Sequence, residues 1–210
     1  MYENLPKRIV CLTEESTETL YSIGAEDLIV GITQFVKRPK RARKEKPVVS
    51  RYIDAKIDKI IELDPDLVLA WSDLQADICA ELIKSGKNVM CFNHRTIGGI
   101  LKFIEQLGAM VGKYEESLAF ANNINDKIER TIAKASERKY KPRVYFEEWD
   151  EPIITGISWV SELIEICGGV DVYSDLSFKF HAKDRILDSS DRVLEKDSDI
   201  MLASWCGKKF

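Results

Sequence analysis

"IIELDPDLVLAW", residues 60–71, is the stretch of sequence that decides the fold. Its first residues have the apolar spacing of a helix, Asp-Pro-Asp interrupts them, and "LVLAW" is an apolar run of strand length. A helix that leads through a short turn into a buried strand is typical of a parallel sheet covered by helices. "VLEKDSDIMLASW", residues 193–205, repeats this order and also reaches a tryptophan. The two stretches predict an α/β chain built from a duplicated unit.

Strand and helix patterns alternate along the rest of the chain. Strands are predicted at 8–12, 28–32, 65–71, 88–92 and 143–147. Residues 114–138 contain neither proline nor glycine, and their periodic apolar residues predict a single long helix. The predicted organisation is an N-terminal α/β lobe at 1–112, an inter-lobe helix at 113–140 and a C-terminal α/β lobe at 141–210.

Composition narrows the class of protein. With 210 residues, 45% of them hydrophobic, the chain can bury a core, and its net charge of -4 gives no general attraction to nucleic acid or anionic lipid. No apolar run approaches the roughly 18 residues of a membrane span, and no signal peptide is expected before the first strand. The five cysteines are widely spaced and odd in number, which favours a reducing, cytoplasmic location. An extracytoplasmic location, with a leader removed, stays open.

The order of elements resembles a known family. "VVSRYIDAKIDKIIELDPDLVLAW", residues 48–71, followed by the long helix, is similar to the substrate-binding proteins of ABC importers for cobalamin, haem and iron siderophores, most of all the cobalamin-binding branch. The resemblance implies two Rossmann-like lobes with parallel sheets joined by one long helix, the class III arrangement, with ligand in the cleft between the lobes. Members of the family continue beyond the position of Trp205, so the second lobe is expected to be incomplete.

Candidate ligand-binding residues lie where predicted strands end, because ligands of open parallel sheets bind beyond the carboxyl ends of the strands. They are Thr13, Glu14, Tyr52, Trp71, His94, Glu148, Trp149, Trp205 and Lys208. The resemblance places Tyr52, Trp71 and Trp149 near aromatic positions that hold a corrin ring. For His94, an axial contact to a cofactor metal and a surface or capping role both stay open. A metal cage is not expected, since the chain has only two histidines.

Two aspartates occupy equivalent points of the two repeats. Asp58 and Asp191 each lie near the start of the helix that precedes an Asp-x-Asp turn. The resemblance implies that they dock onto arginines of a membrane permease. The alternative is a favourable charge at a helix amino terminus.

These observations predict a non-catalytic protein that captures a bulky organic or organometallic ligand for ABC-type uptake. The expected ligand is cobalamin, another metal-containing tetrapyrrole or an iron chelate, and no cofactor is required. The alternative is a cytoplasmic enzyme with Glu147 or Glu148 as general base, helped by Lys208 or Cys206. The basic segment 37–47 is expected to be a solvated loop, with no nucleic-acid partner.

Overall fold

The structure, a computed structural model, describes residues 4–205. The described residues form two compact units, each treated separately below. The first unit comprises residues up to His94 together with Gly99–Asn123, and the second comprises Arg95–Gly98 and the residues from Ile124 onward. The predicted lobe limits at 112/113 and 140/141 stay a prediction.

Strands and helices alternate through the first unit. In chain order they are β1 (Ile9–Cys11), α1 (Glu14–Ser22), β2 (Ile29–Thr33), α2 (Ala42–Glu45), β3 (Val48–Arg51), β4 (Asp54–Ala55), α3 (Ile57–Glu62), β5 (Leu67–Trp71), α4 (Ala76–Lys84) and β6 (Val89–Phe92). The helix α5 (Ile97–Met110) begins within the short Arg95–Gly98 segment and continues in the first unit.

The first unit is built on one sheet with the order β4-β3-β2-β1-β5-β6. All its pairings are parallel except that of β3 with β4. The central strands β1 and β5 are apolar throughout and almost fully buried, as expected of strands covered on both faces. Helices α3 and α4 pack over one face through Ile60, Ile78 and Leu82.

The predicted long helix exists as α6 (Tyr114–Ser136), two residues shorter at its end than expected. The boundary between the two units falls inside this helix, at residues 123 and 124. It is also the longest helix of the described residues, and none of those residues forms a helix both long enough and apolar enough to cross a membrane.

The second unit has a smaller sheet. Its elements are β7 (Arg143–Asp150), β8 (Ile153–Thr155), α7 (Ser158–Ile166), β9 (Val170–Asp171), α8 (Ser174–Ser177), α9 (Asp191–Glu195) and β10 (Ile200–Ala203). The strand β7 pairs in parallel with β10 and β9 and antiparallel with β8. The α/β prediction with mainly parallel sheets is therefore confirmed.

The prediction that a strand ends at residue 147 was wrong. The strand β7 continues to Asp150 because it turns back into β8, and Trp149 lies opposite Ile154 in that hairpin. Glu147, Glu148 and Trp149 are therefore strand residues and not loop residues.

The two repeats share one hydrogen-bond pattern. In the first, the backbone N–H of Arg8 donates to the Asp66 carboxylate at 3.0 Å, and the Arg8 guanidinium donates to the carbonyls of Leu63 and Asp64. In the second, Arg143 does the same with Asp199, at 2.6 Å, and with the carbonyls of Lys196 and Asp197. Asp64 and Asp197 both have positive φ, at 45° and 46°. This supports the predicted duplication of the Asp-x-Asp turn.

Candidate functional site

The candidate residues of the first unit lie at one edge of its sheet. Because the parallel strands all run in the same direction, their carboxyl ends meet there. Thr13 and Glu14 follow β1, Tyr52 follows β3, Trp71 ends β5 and His94 follows β6. The sequence pattern thus predicts residues that the topology brings to a common edge.

Aromatic rings form a continuous row at this edge. The ring centroids of Tyr52 and Trp71 are 6.4 Å apart, those of Trp71 and His94 are 6.0 Å apart, and those of His94 and Phe103 are 4.7 Å apart. The indole Nε1 of Trp71 donates to the carbonyl oxygen of His94 at 3.1 Å. We call Tyr52, Trp71, His94 and Phe103 the aromatic row. Its first three residues are half-buried, so they combine aromatic packing with partial exposure.

Sequence analysis missed Phe103 and its neighbour Phe92. Phe92 ends β6 and meets Phe103 edge to face, with centroids 4.8 Å apart. Phe103 lies on α5 and is 2% exposed, so it supports the row from the core side. Its place on the apolar face of α5 is a signal of burial and does not reveal which residues it contacts.

A buried amide holds three strand ends together. Gln75 is fully buried, and its Oε1 accepts from the backbone N–H of Trp71 at 3.0 Å. Its Nε2 donates to the carbonyl oxygens of Leu12, at 3.2 Å, and Tyr52, at 2.7 Å. Gln75 therefore fixes the end of β5 and the residues that directly follow β1 and β3. Sequence analysis did not identify it as a site residue.

Next to the strand end of β1, the carboxyl group of Glu15 is shielded from water. The Thr13 hydroxyl donates to Glu15 Oε1 at 2.7 Å and contacts the Ser16 hydroxyl at 3.1 Å. Burial raises the pKa of Glu15 from 4.5 to about 7, although the Thr13 hydrogen bond acts in the opposite direction. Glu15, one residue after the predicted Glu14, is thus the group here whose charge changes near neutral pH.

In the second unit, the adjacent glutamates Glu147 and Glu148 have different hydrogen-bond partners. Glu147 is buried and accepts from the Tyr145 hydroxyl at 2.8 Å and from Trp205 Nε1 at 3.0 Å. Glu148 accepts from both terminal nitrogens of Arg185, at 2.7 and 3.3 Å. Each carboxylate is therefore already bound by donors of the protein. This arrangement is that of structural carboxylates, and it gives no support to a general base.

The remaining tryptophans of the predicted site have defined partners. Trp149 Nε1 donates to the carbonyl oxygen of Glu151 at 2.9 Å, which fixes its ring on the β7–β8 hairpin. Trp205 follows β10 and is held by its bond to Glu147. The candidate Lys208, and Cys206 of the enzyme alternative, lie outside the described residues. Among residues 4–205, no cluster of three or more His, Cys, Asp or Glu side chains could hold a metal ion.

Both predicted docking aspartates are exposed. Asp58 lies in the first turn of α3, and Asp191 is the first residue of α9. A surface cavity of about 630 Å³ adjoins Asp58 and is also lined by Glu62 and Glu81. The positions are equivalent, since α3 precedes β5 and α9 precedes β10.

The basic segment 37–47 contains the short helix α2 and is partly neutralised. Arg38 pairs with Glu18 at 2.9 Å, and Arg41 pairs with Glu26 at 2.8 Å. Arg41 also lies over the Tyr21 ring, 4.6 Å from its centroid. These contacts fit a solvated surface segment.

The sequence as a whole matches the model of one protein family. The model describes a periplasmic binding protein and matches residues 9–210. The chain belongs to this family. Periplasmic binding proteins of this kind are substrate-binding proteins and not enzymes.

Individual relatives agree with this assignment. The chain is 29% identical over 201 residues to the vitamin B12-binding protein of Vibrio campbellii. The aligned residues cover 94% of this chain and 70% of that protein. The crystal structure of the periplasmic vitamin B12 binding protein BtuF of Vibrio cholerae superposes with a TM-score of 0.77 at 25% identity, over 95% of this chain and 76% of that one. Staphylococcus aureus IsdE, solved with haem, gives a TM-score of 0.80 at 22% identity, over 95% and 76% of the two chains, and shows the fold alone. The class III fold predicted from the sequence is thereby confirmed.

Proposed function

We propose that this periplasmic binding protein captures a corrinoid of the cobalamin type without transforming it. The observation that carries the proposal is the aromatic row at the carboxyl edge of the first unit's sheet. Relatives named for vitamin B12 support the choice of a corrinoid over haem, because the haem-binding neighbours are similar in fold alone. The bound molecule is cargo, and the protein requires no cofactor of its own.

The chemistry of the edge suits a broad ligand with amide groups. Tryptophan and tyrosine offer flat apolar faces with one polar tip, so they can contact a large ring while a hydrogen bond fixes its orientation. Ligand sites are commonly apolar surfaces with a few polar groups of fixed position, and Thr13 and Glu15 supply such groups after β1. A protonated Glu15 can donate to a ligand carbonyl, and an ionised Glu15 can accept from an amide N–H.

The arrangement of the second unit argues against the enzyme alternative. A general base needs a carboxylate that can reach a substrate proton, whereas Glu147 and Glu148 are held by Tyr145, Trp205 and Arg185. We include Trp149 in the proposed ligand contacts, because its ring is half-buried and is fixed on the hairpin by its bond to Glu151.

We further propose that Asp58 and Asp191 dock the protein onto an ABC permease. Their exposure at equivalent helix starts supports this role, since a docking surface built on a duplicated unit presents the same charge twice. Alanine at both positions should leave ligand affinity unchanged and reduce uptake by cells that carry the cognate permease.

Equilibrium dialysis tests ligand capture, because it counts bound ligand without relying on a fluorescence change. The 210-residue protein is dialysed against cyanocobalamin, cobinamide and haem, and we expect saturable binding of the two corrinoids. Tyr52→Ala should weaken binding at least about tenfold, near 1.4 kcal/mol, because it removes the first ring of the row. Tyr114→Ala is the matched control, since Tyr114 lies in the same unit, is 47% exposed and is not one of the residues of the row.

Failure to bind either corrinoid would refute the proposed ligand class. Binding of haem alone would transfer the proposal to haem, and recovery of a chemically altered corrinoid after incubation would favour the enzyme alternative. Equal losses of affinity in the Tyr52 and Tyr114 variants would show that the aromatic row is not the contact surface.

A further inference from the structure

Two cysteines of the first unit lie on the same face of its sheet. Cys91 in β6 pairs directly with Ala70 in β5. Paired residues of neighbouring strands direct their side chains to the same face. Ala70 packs in the core cluster that contains Cys79 of α4, and Val89, two residues before Cys91, packs against that same cluster. The strand register therefore directs the Cys91 side chain toward the helix that carries Cys79.

The two thiols are neighbours. The Cys91 thiol raises the pKa of Cys79, and the Cys79 thiol lowers that of Cys91. Cys91 also donates to the carbonyl oxygen of Ser72, with the sulfur 3.5 Å from the oxygen. Both thiols are reduced; Cys79 is buried and Cys91 is exposed. A solvent-accessible thiol thus neighbours a buried one.

We propose that Cys79 and Cys91 are a modification site, at which a small-molecule disulfide such as oxidised glutathione converts the pair into an intramolecular disulfide. The Cys91 thiolate attacks one sulfur of oxidised glutathione, which forms a mixed disulfide and releases one glutathione thiolate. The Cys79 thiolate then attacks the Cys91 sulfur and releases the second glutathione thiolate. Two protein thiols are oxidised, one glutathione disulfide is reduced, and the two protons pass to the released thiolates.

Burial makes this exchange slow at neutral pH. It raises the pKa of Cys79 to about 11, and burial also raises the pKa of Cys91. The attacking species is the thiolate, so the rate should rise up to about tenfold for each pH unit between 7 and 9.

The disulfide would join an edge strand to its covering helix. The strand β6 stands at the end of the sheet order, and it leads through Phe92 to His94 of the aromatic row. Closing the loop between residues 79 and 91 restricts the unfolded chain, so the oxidised protein should melt about 4 to 10 °C higher than the reduced one. The inference is independent of the ligand proposed above.

The experiment oxidises the full 210-residue protein with glutathione disulfide at pH 8.5, then counts thiols and maps peptides by mass spectrometry without reduction. We expect a peptide that links Cys79 to Cys91, and its yield should be unchanged in Cys167→Ser, where another exposed cysteine is removed. Cys79→Ser should keep glutathione on Cys91 as a stable adduct, because no second thiol can displace it. Cys79→Ala provides the same readout if the serine hydroxyl disturbs the core.

Three results would overturn the inference. They are a stable glutathione adduct on Cys91 in the unmodified sequence, a disulfide that joins either cysteine to a different one, and retention of both thiols after oxidation at pH 8.5. A melting temperature that does not rise on oxidation would overturn the stabilisation of β6.

Discussion

Replacing Gln75 by leucine tests whether one buried amide fixes the carboxyl edge of the first unit. Leucine has a similar volume and no polar atoms, so the substitution removes three hydrogen bonds without opening a large cavity. The groups left behind are the backbone N–H of Trp71 and the carbonyl oxygens of Leu12 and Tyr52.

The expected loss of stability follows from the burial of those groups. An unsatisfied buried polar group costs about 1 to 3 kcal/mol, and the Leu12 carbonyl is in the most buried of the three bonds. The bonds to Trp71 and Tyr52 are only partly buried, so water can replace part of what is lost. Burying a leucine side chain returns about 1.5 to 3 kcal/mol. We therefore expect Gln75→Leu to lower the free energy of unfolding by about 1 to 3 kcal/mol.

A second variant separates hydrogen bonding from packing. Gln75→Glu keeps the acceptor for Trp71 but places a carboxyl group against two carbonyl oxygens, which raises the pKa of the introduced group. Stability is then present below the ordinary glutamate pKa of about 4.3 and is lost as pH rises through the folded-state value. The variant should resemble the unmodified protein at pH 4 and fall below it at pH 8.

The assay is urea unfolding of each variant at pH 4, 6 and 8, with Gln106→Glu as the matched control because Gln106 is exposed on α5. A pH dependence equal to that of the control, or a Gln75→Leu protein as stable as the unmodified one, would refute the assignment of Gln75. Cyanocobalamin affinity should fall about tenfold in Gln75→Leu, since Tyr52 and Trp71 lose their common anchor.

Two further predictions concern groups near the proposed ligand contacts. The pKa of Glu15, raised to about 7 from 4.5, means that the unfolded chain releases this proton first as pH rises. Glu15 should therefore favour the folded state below pH 4.5, lose this contribution between pH 4.5 and 7, and change little above that range. In urea unfolding, Glu15→Gln should remove this decrease of the free energy of unfolding between pH 4.5 and 7, and it should increase stability at pH 8 by at most about 3 kcal/mol. An unchanged pH dependence would mean that Glu15 is well solvated. Trp149→Ala should weaken cyanocobalamin binding at least about tenfold and change the free energy of unfolding by less than about 1 kcal/mol. Trp71→Ala should reduce both the affinity and the free energy of unfolding. Both quantities are measured by dialysis and thermal melts on the same preparations, and a Trp149→Ala protein that binds normally but melts early would contradict the prediction.

Much of the fold could be predicted because its signals are local. The apolar strand "LVLAW" and the periodic residues 114–136 form the elements that their patterns indicate. The Asp-x-Asp turns were recognisable as a repeat because the same residue types stand at the same points of both stretches. In each turn the second aspartate accepts from the backbone at the start of the neighbouring strand.

The missed features depend on contacts that are distant in sequence. Ser72 caps a 3₁₀ turn over Asp73–Gln75, and α4 begins only at Ala76. That turn brings Gln75 back to the end of β5. It also brings Gln75 to Leu12 and Tyr52, which precede it in the sequence by 63 and 23 residues. No local pattern specifies such a convergence. The extension of β7 to Asp150 has the same origin, since its last residues are strand only because β8 pairs with them.

The duplicated turn explains why the two units share a scaffold and differ at their carboxyl ends. At the amino end of the sheets, Arg8 with Asp66 and Arg143 with Asp199 make the same bonds, so that end is determined by the requirement to join a helix to a strand. At the opposite end, Trp71 Nε1 donates to a backbone carbonyl within an aromatic row, whereas Trp205 Nε1 donates to the buried carboxylate of Glu147. Equivalent tryptophans therefore face different chemistry, apolar in the first unit and charged in the second.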